Sequence, residues 1–230
     1  MPPVPELARA GGSTVDEMVG WWQAYYDRDP VPWNYVRGTK VVRTAYTGLH
    51  NLSQLVAGCA AEKIEQGRKS NSEIVELAAP LAFGRRTQVF DLPRRQFPFG
   101  RDNRAGYRIP FFFVEDNTVK LYHLQPRKSA AVTFDQMGMV ATIYKRFILD
   151  TEFYGQKVDL EIVDLAEDKI SHAREVNRYK IDDLELWSDA RLQDRLTLIA
   201  ESLDRVWSSG TIQPRDRRGR RPDPDMPLFD

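Results

Sequence analysis

Residues 107–149 decide the fold: YRIPFFFVEDNTVKLYHLQPRKSAAVTFDQMGMVATIYKRFIL. The first half of this stretch holds two apolar runs separated by Asp116 and Asn117. Asp and Asn tolerate the backbone angles of a tight two-residue turn. The pattern therefore predicts a β-hairpin with strands over residues 107–114 and 119–125, at the centre of the core.

The second half of the stretch is typical of an amphipathic helix. Thr133 is a favourable N-cap residue, and Gln136, three residues later, completes a capping box. Apolar residues then recur at intervals of three and four, which predicts one helix face packed on a sheet. That face consists of Phe134, Met137, Ala141, Tyr144 and Ile148.

Working outward, the flanking segments supply further helices and strands. Hydrophobic periodicity and helix-capping residues predict helices at 14–27, 44–68 and 189–207, and strands at 87–92 and 158–165. The order helix, three strands, helix, strand, helix predicts an α/β or α+β fold in which a small mixed sheet is flanked by helices.

The chain divides into three predicted regions. Residues 1–43 are a loose N-terminal tail followed by an aromatic helix that packs on the core. Residues 44–209 form the α/β core. Residues 210–230 are rich in Pro, Arg and Asp and lack periodicity, which predicts a disordered tail.

Composition limits the classes of function. The chain has 230 residues, a formal net charge of +0 and one cysteine, Cys59. A single cysteine and three scattered histidines exclude an internal disulfide and a Cys/His metal cluster, so no metal site and no cofactor are predicted. No apolar run reaches the length of roughly 20 residues that a membrane helix needs, and no signal pattern opens the chain. We therefore expect a cytoplasmic protein without a membrane partner.

Charge is unevenly distributed. Residues 85–128 contain ten Lys or Arg against four acids, whereas residues 150–205 contain fifteen acids against eight bases. Within the basic region, residues 94–104 (RRQFPFGRDNR) combine arginines with two phenylalanines, as single-strand-binding loops do. A mobile solvated loop has the same composition, so both interpretations stay open.

A cluster of aromatic residues also allows two interpretations. It could stack nucleobases, or it could be a small core that ties the N-terminus to the main body, which its helical spacing favours. The cluster consists of Trp21, Trp22, Tyr25, Tyr26, Trp33 and Tyr35.

The element order around the hairpin resembles the PD-(D/E)XK nuclease-like superfamily, whose fold is restriction-endonuclease-like. In that superfamily, two carboxylates on the second and third strands hold a divalent metal, and a lysine orients the attacking water. Here Phe111 follows Pro110 where the first carboxylate is expected. His123 or Gln125 stands at the second position, and Lys128 is the candidate for the lysine.

The resemblance implies a pseudoenzyme. Phe111 offers no ligand, and Mg²⁺ needs hard oxygen donors. Arg108, Gln125, Arg127 and Lys128 would then hold phosphate without cutting it. The full set of candidate nucleic-acid-binding residues is Arg94, Arg95, Arg101, Arg104, Arg108, Arg127 and Lys128.

The last six residues, DMPLFD, resemble the peptides with which bacterial replication and repair proteins bind the sliding clamp. Met226, Leu228 and Phe229 match the apolar positions of those peptides, and Asp225 replaces their usual glutamine. An exposed apolar pair on a flexible tether suits insertion into a pocket of a partner protein.

Three functions follow. The first is a non-catalytic accessory protein of bacterial DNA replication, repair or mobile-element biology that binds DNA, and a sliding clamp or another such protein through its tail. The second is an active nuclease whose Mg²⁺ is held by Glu62, Asp91 or Asp116. The third is a protein-interaction subunit that binds no nucleic acid and uses its N-terminal aromatic residues as the interface.

Overall fold

The computed structural model describes residues 2–28, 32–93, 95–129 and 132–210. The helices are α1 (Val4–Arg9), α2 (Val15–Asp27), α3 (Val36–Ala45), α4 (Leu52–Ala57), α5 (Glu65–Ala78), α6 (Phe134–Tyr144), α7 (Asp150–Glu152) and α8 (Asp189–Ser208). The strands are β1 (Gln88–Asp91), β2 (Gln96–Phe99), β3 (Asn103–Gly106), β4 (Phe111–Glu115), β5 (Thr118–Gln125), β6 (Val158–Asp164) and β7 (Asn177–Tyr179).

A mixed five-stranded sheet organises the molecule, in the order β1-β4-β5-β6-β7. Strands β1, β4 and β5 are successively antiparallel, β5 and β6 run parallel, and β7 is antiparallel to β6. Strands β2 and β3 form a separate two-stranded sheet. The predicted class, a mixed sheet flanked by helices, is confirmed.

The predicted hairpin is confirmed in β4 and β5. Asp116 and Asn117 both have left-handed backbone angles, with φ of 50° and 57°. The two-residue turn sets the register, so that Phe111 lies opposite Tyr122. We call the end of β5 and β6 that lies away from this turn the carboxyl end of the parallel pair.

Each face of the sheet carries its own core. On one face, α1, α2, α6, α8 and the β2–β3 hairpin cover Leu121 and Ile162. On the other face, α3, α4 and α5 cover Tyr122 and Leu124. Side chains alternate between the faces of a strand, so neighbouring residues of β5 enter different cores.

The predicted loose N-terminal tail is wrong over the part that forms α1. Val4 and Leu7 are fully buried in the first core. The guanidinium of Arg195 donates to the carbonyls of Ala10 and Gly12 and so holds the end of this helix. Val4 and Leu7 are one helical turn apart, so a short helix places both on one face.

The single helix predicted at 44–68 is also wrong. Helix α3 ends at Ala45, and Gly48 turns the chain with a φ of +73°. Asn51 then opens α4 in a capping box with Gln54, which restarts the helix in a new direction. The predicted domain boundary between residues 43 and 44 falls inside α3.

The basic segment 94–104 is a β-hairpin over most of its length and not a mobile loop. Phe97 and Phe99 on β2 are 1% and 5% exposed and belong to the first core. Asn103 donates to Asp204 on α8 at 2.9 Å, which ties the hairpin to that helix. Both phenylalanines are therefore core residues and cannot stack nucleobases.

Three of the predicted helix starts are confirmed. Thr133 and Gln136 form a capping box at α6, as Thr14 does with Glu17 at α2. The side chain of Ser188 caps α8. After α6 the chain continues through a π-helical turn, Lys145–Leu149.

Residues 211–230 lie outside the described residues, so the predictions of a disordered tail and of a partner-binding role for Met226, Leu228 and Phe229 remain predictions. In the part of the chain that the structure describes, no helix combines the length and apolarity needed to cross a membrane.

Candidate nucleic-acid interface

The sheet face beneath Phe111 is filled with aromatic rings. Phe111 is fully buried and stacks on Tyr122 with ring centroids 4.6 Å apart and an interplanar angle of 16°. The ring of Tyr46 closes over Phe111 at 5.4 Å. Tyr122 is the residue opposite Phe111 in the ladder, on the same face. His123 and Gln125, named from the sequence for the second carboxylate position, lie on the opposite face, so the structure does not bring either of them together with Phe111.

His123 is a buried residue of the first core. Its Nδ1 lies 3.2 Å from the carbonyl oxygen of Arg108 and 3.4 Å from the hydroxyl of Tyr144. Burial lowers the pKa of His123 to about 4. The ring is consequently neutral near pH 7 and adds no charge to the carboxyl end of the parallel pair.

Gln125 clamps the exit of β5. Its side-chain oxygen accepts from the backbone N–H of Arg127, and its Nε2 donates to the carbonyl of Arg127, both at 2.9 Å. The same Nε2 donates to Oδ1 of Asp164 at 3.2 Å, where burial raises the pKa of the carboxyl. The predicted phosphate contact by Gln125 is not favoured, because its amide already holds the chain.

The carboxylates considered for a rearranged metal site lie apart. Asp116 is in the hairpin turn, Asp91 pairs with Arg43 at 2.9 Å, and Glu62 lies beside the start of α5. Among the described residues, no three His, Cys, Asp or Glu side chains are grouped in a way that could hold a metal ion.

Three arginines lie near Tyr25, at the carboxyl end of the parallel pair. Arg127, Arg108 and Arg28 lie close enough to the Tyr25 hydroxyl for their charges to act on it. Burial raises the pKa of Tyr25, Glu6 also raises it, and the three arginines oppose that change. We define the arginine–tyrosine surface as Tyr25, Arg28, Arg108 and Arg127.

Glu6 holds part of this surface in place. Its carboxylate, 4% exposed, accepts from Arg127 at 2.7 Å and from Arg9 at 3.2 Å. The side chain of Arg127 remains 48% exposed. Arg108 is exposed, and its side chain forms no ion pair with any residue that the structure describes. Two cations thus face solvent at the same end of the sheet.

Tyr25 has an aromatic neighbour one helical turn away. Trp21 and Tyr25 on α2 stack with centroids 5.5 Å apart and an interplanar angle of 9°. Trp22 is fully buried and donates to the hydroxyl of Ser202 at 3.0 Å. The predicted aromatic cluster is therefore partly core, which removes Trp22 as an interface residue. Trp21 and Tyr25 are only partly buried.

The other predicted nucleic-acid-binding residues lie elsewhere. Arg95 pairs with Glu152 at 2.5 Å, and Arg104 projects from β3. Arg101, 93% exposed, occupies the β2–β3 turn. Lys128 is 45% exposed and lies 3.9 Å from Glu167. Arg94 lies outside the described residues.

Sequence reasoning missed a buried charge network on the second core face. The guanidinium of Arg85 donates twice to Glu115, at 2.7 Å, and twice to Glu161, at 3.0 Å. Glu161, 1% exposed, also accepts from Arg178 at 2.9 Å and from the hydroxyl of Tyr46. The one available signal was an acidic residue between apolar neighbours in strand 158–165.

Comparisons with known proteins do not place the chain in a family. No family model matches it, and no curated protein matches it. The solved structure "Crystal structure of SSO0001" aligns with 84% of this chain and 87% of that chain, with 12% sequence identity and a TM-score of 0.32. A similarity of that size carries no argument about fold or function.

Proposed function

We propose that this chain is a non-catalytic accessory protein of DNA replication, repair or mobile-element biology, and that it binds nucleic acid on the arginine–tyrosine surface. The observation that carries the proposal is the placement of two exposed arginines, Arg108 and Arg127, at the carboxyl end of the parallel pair, with Tyr25 near them. Cations interleaved with aromatic rings are the composition with which proteins hold single strands.

The balance of charge at this surface is positive. Glu6 lies between Arg9 and Arg127, and Asp164 is the other carboxylate close to Arg9. Counted with Arg28 and Arg108, and with the largely buried Arg9 behind the surface, four arginines stand against these two carboxylates. When arginines neutralise the phosphates of a nucleic acid, the cations condensed on that nucleic acid are released. This release favours binding at low salt.

The filled face beneath Phe111 supports a binding role over a cutting role. Phe111, which stands at the first carboxylate position of the resembled superfamily, is stacked on Tyr122 and offers no ligand to a metal ion. We therefore assign no hydrolytic step to this chain. The arginine–tyrosine surface needs no metal, because guanidinium groups bind phosphate oxygens directly.

Fluorescence anisotropy tests this proposal. Labelled single-stranded DNA, single-stranded RNA and duplex DNA of about 20 nucleotides are titrated with the full chain, a length that covers the site size of typical single-strand binders. We expect binding that weakens as salt rises from about 50 to 200 mM. Arg108→Ala should weaken binding to every sequence and lower the salt dependence by about one phosphate contact.

Arg86→Ala is the matched control. Arg86 is an exposed arginine near the Asp116–Asn117 turn, and its side chain pairs with no described residue. The eight residues of β5 place it on the order of 25 Å from the arginine–tyrosine surface. Absence of binding at low salt, or equal losses in both variants, would show the proposal to be wrong.

A further inference from the structure

Among the strands that the structure describes, none pairs with the outer edge of β1. Gln88–Asp91 stands at one end of the five-stranded sheet, and its one ladder partner among the described strands is β4. An edge strand presents unpaired N–H and C=O groups to whatever lies beside it. An extended peptide can add to such an edge as a further strand.

An aromatic patch lies next to this edge. Phe90 is 42% exposed and stacks on Phe112 at 5.2 Å, and Phe112 contacts Phe153 at 5.0 Å. We call Phe90, Phe112 and Phe153 the edge aromatic patch. It offers apolar area to a side chain of an added strand.

Arginines flank the edge on both sides. Arg86 precedes β1 and pairs with no described residue, and Arg95 follows it with 52% of its side chain exposed. The carboxylate of Asp91, within the strand, is neutralised by Arg43 at 2.9 Å. The edge therefore suits a segment with an apolar middle and acidic ends.

The C-terminal segment of this chain has that composition. Residues 223–230 read DPDMPLFD, with Met226, Leu228 and Phe229 between acidic residues. The described chain ends at Gly210, so the linker to Phe229 can span roughly 60 Å when extended. A domain of this size has a radius of gyration of roughly 17 Å, so the segment can reach β1.

We propose that residues 225–230 of the same chain dock as an additional strand on the outer edge of β1. Leu228 and Phe229 are adjacent in sequence, so in a strand they face opposite sides of the sheet. One contacts the edge aromatic patch, and the other lies beside Val89. Pro227 lacks an N–H, and proline is tolerated in a strand at the edge of a sheet. Docking withholds the apolar pair from other proteins and is independent of nucleic-acid binding.

A competition experiment on the full chain tests this inference. A fluorescein-labelled peptide of residues 223–230 is added to wild-type protein and to a variant carrying Leu228→Ala and Phe229→Ala. We expect the variant to bind the peptide about tenfold more tightly, because its own tail no longer competes at high effective concentration. In that background, Phe90→Ala and Arg86→Glu should each weaken binding of the peptide.

Phe83→Ala is the matched control, because Phe83 is also 42% exposed but lines a different surface beside Leu49. It should leave peptide binding unchanged, and urea midpoints confirm that the variants fold. The inference is overturned if the peptide binds neither protein, if it binds both equally, or if Phe83→Ala weakens binding as much as Phe90→Ala. Dimerisation that is lost with Leu228→Ala and Phe229→Ala would overturn docking within one chain.

Discussion

Replacement of Arg85 by methionine tests the buried charge network most sharply. Arg85 joins β4 to β6 through four hydrogen bonds to Glu115 and Glu161, and its guanidinium lies 4.9 Å from the ring centre of Phe113. Methionine fills a similar volume and removes the charge. A large loss in the free energy of unfolding is then due to the lost ionic contacts and not to a cavity.

The expected loss is worked out from burial. Glu161 is 1% exposed, and among the described residues it keeps Arg178 and Tyr46 as partners in the variant. Removing one partner from a buried ion pair costs about 3–5 kcal/mol. A domain of ordinary stability has about 5–15 kcal/mol in total, so the variant should be marginal or partly unfolded.

Urea unfolding at neutral pH, followed by tryptophan fluorescence, measures this loss. Arg86→Met is the control, because that exposed neighbour should change stability by less than about 0.5 kcal/mol. The double variant Arg85→Met/Glu161→Gln should lose less than the two single losses combined, with a coupling of about 1 kcal/mol or more. The reasoning is refuted if Arg85→Met costs no more than Arg86→Met.

Four further predictions follow from the described residues. Hydrogen bonds from Arg85 lower the pKa of Glu115 to about 2. The ionised Glu115 therefore contributes fully to the free energy of unfolding above pH 4.5, the ordinary pKa of a glutamate. That contribution should fall by about 2 kcal/mol as the pH drops to about 3, measured by urea unfolding at each pH. Burial lowers the pKa of His123 to about 4, so the unfolded chain binds its proton first below about pH 6.5. The free energy of unfolding should therefore decrease as the pH is lowered from about 6.5 to about 4. His123→Gln should remove that part of the pH dependence. Gly38→Ala should destabilise the chain by more than about 1 kcal/mol in urea unfolding, because the added carbon would lie 2.8 Å from Oδ1 of Asn71. Incubation of labelled DNA and RNA with the chain and Mg²⁺ or Mn²⁺ should leave them uncut, whereas cleavage lost on changing Glu62 or Asp91 would establish the nuclease alternative.

The sequence predicts those parts of the fold that depend on neighbouring residues. Asp116 and Asn117 specify a two-residue turn, and the turn alone sets the register of β4 and β5. Thr133 with Gln136 marks the start of α6 because both side chains bond to backbone groups within the same turn. Such local chemistry needs no knowledge of the core.

Other parts depend on contacts that are distant in the chain. The helix Val4–Arg9 is stabilised by burial of Val4 and Leu7 in the first core. Its six residues are too few for hydrophobic periodicity to predict a helix from the sequence. Phe97 and Phe99 looked like stacking residues of a basic loop, but pairing of β2 with β3 places both in the first core. Composition alone cannot separate an exposed phenylalanine from a buried one.

The candidate site also combines residues that the sequence predicts with a residue that only distant contacts bring there. Arg108 and Arg127 could be named from the sequence as basic residues beside the hairpin. That Tyr25 lies near them could not be predicted, because α2 is positioned by packing on α8, where Trp22 donates to Ser202. The sequence also did not show that Phe111 belongs to one face of the sheet and His123 and Gln125 to the other, because that depends on which core each residue enters.

The central claim is that the arginine–tyrosine surface binds the phosphates of nucleic acid. The most direct measurement is the slope of log K against log salt for a labelled single strand, in the wild type and in Arg108→Ala/Arg127→Ala. The account predicts a negative slope in the wild type that is shallower by about 0.7 for each lost phosphate contact in the variant. Identical affinity and slope for the two proteins would contradict it.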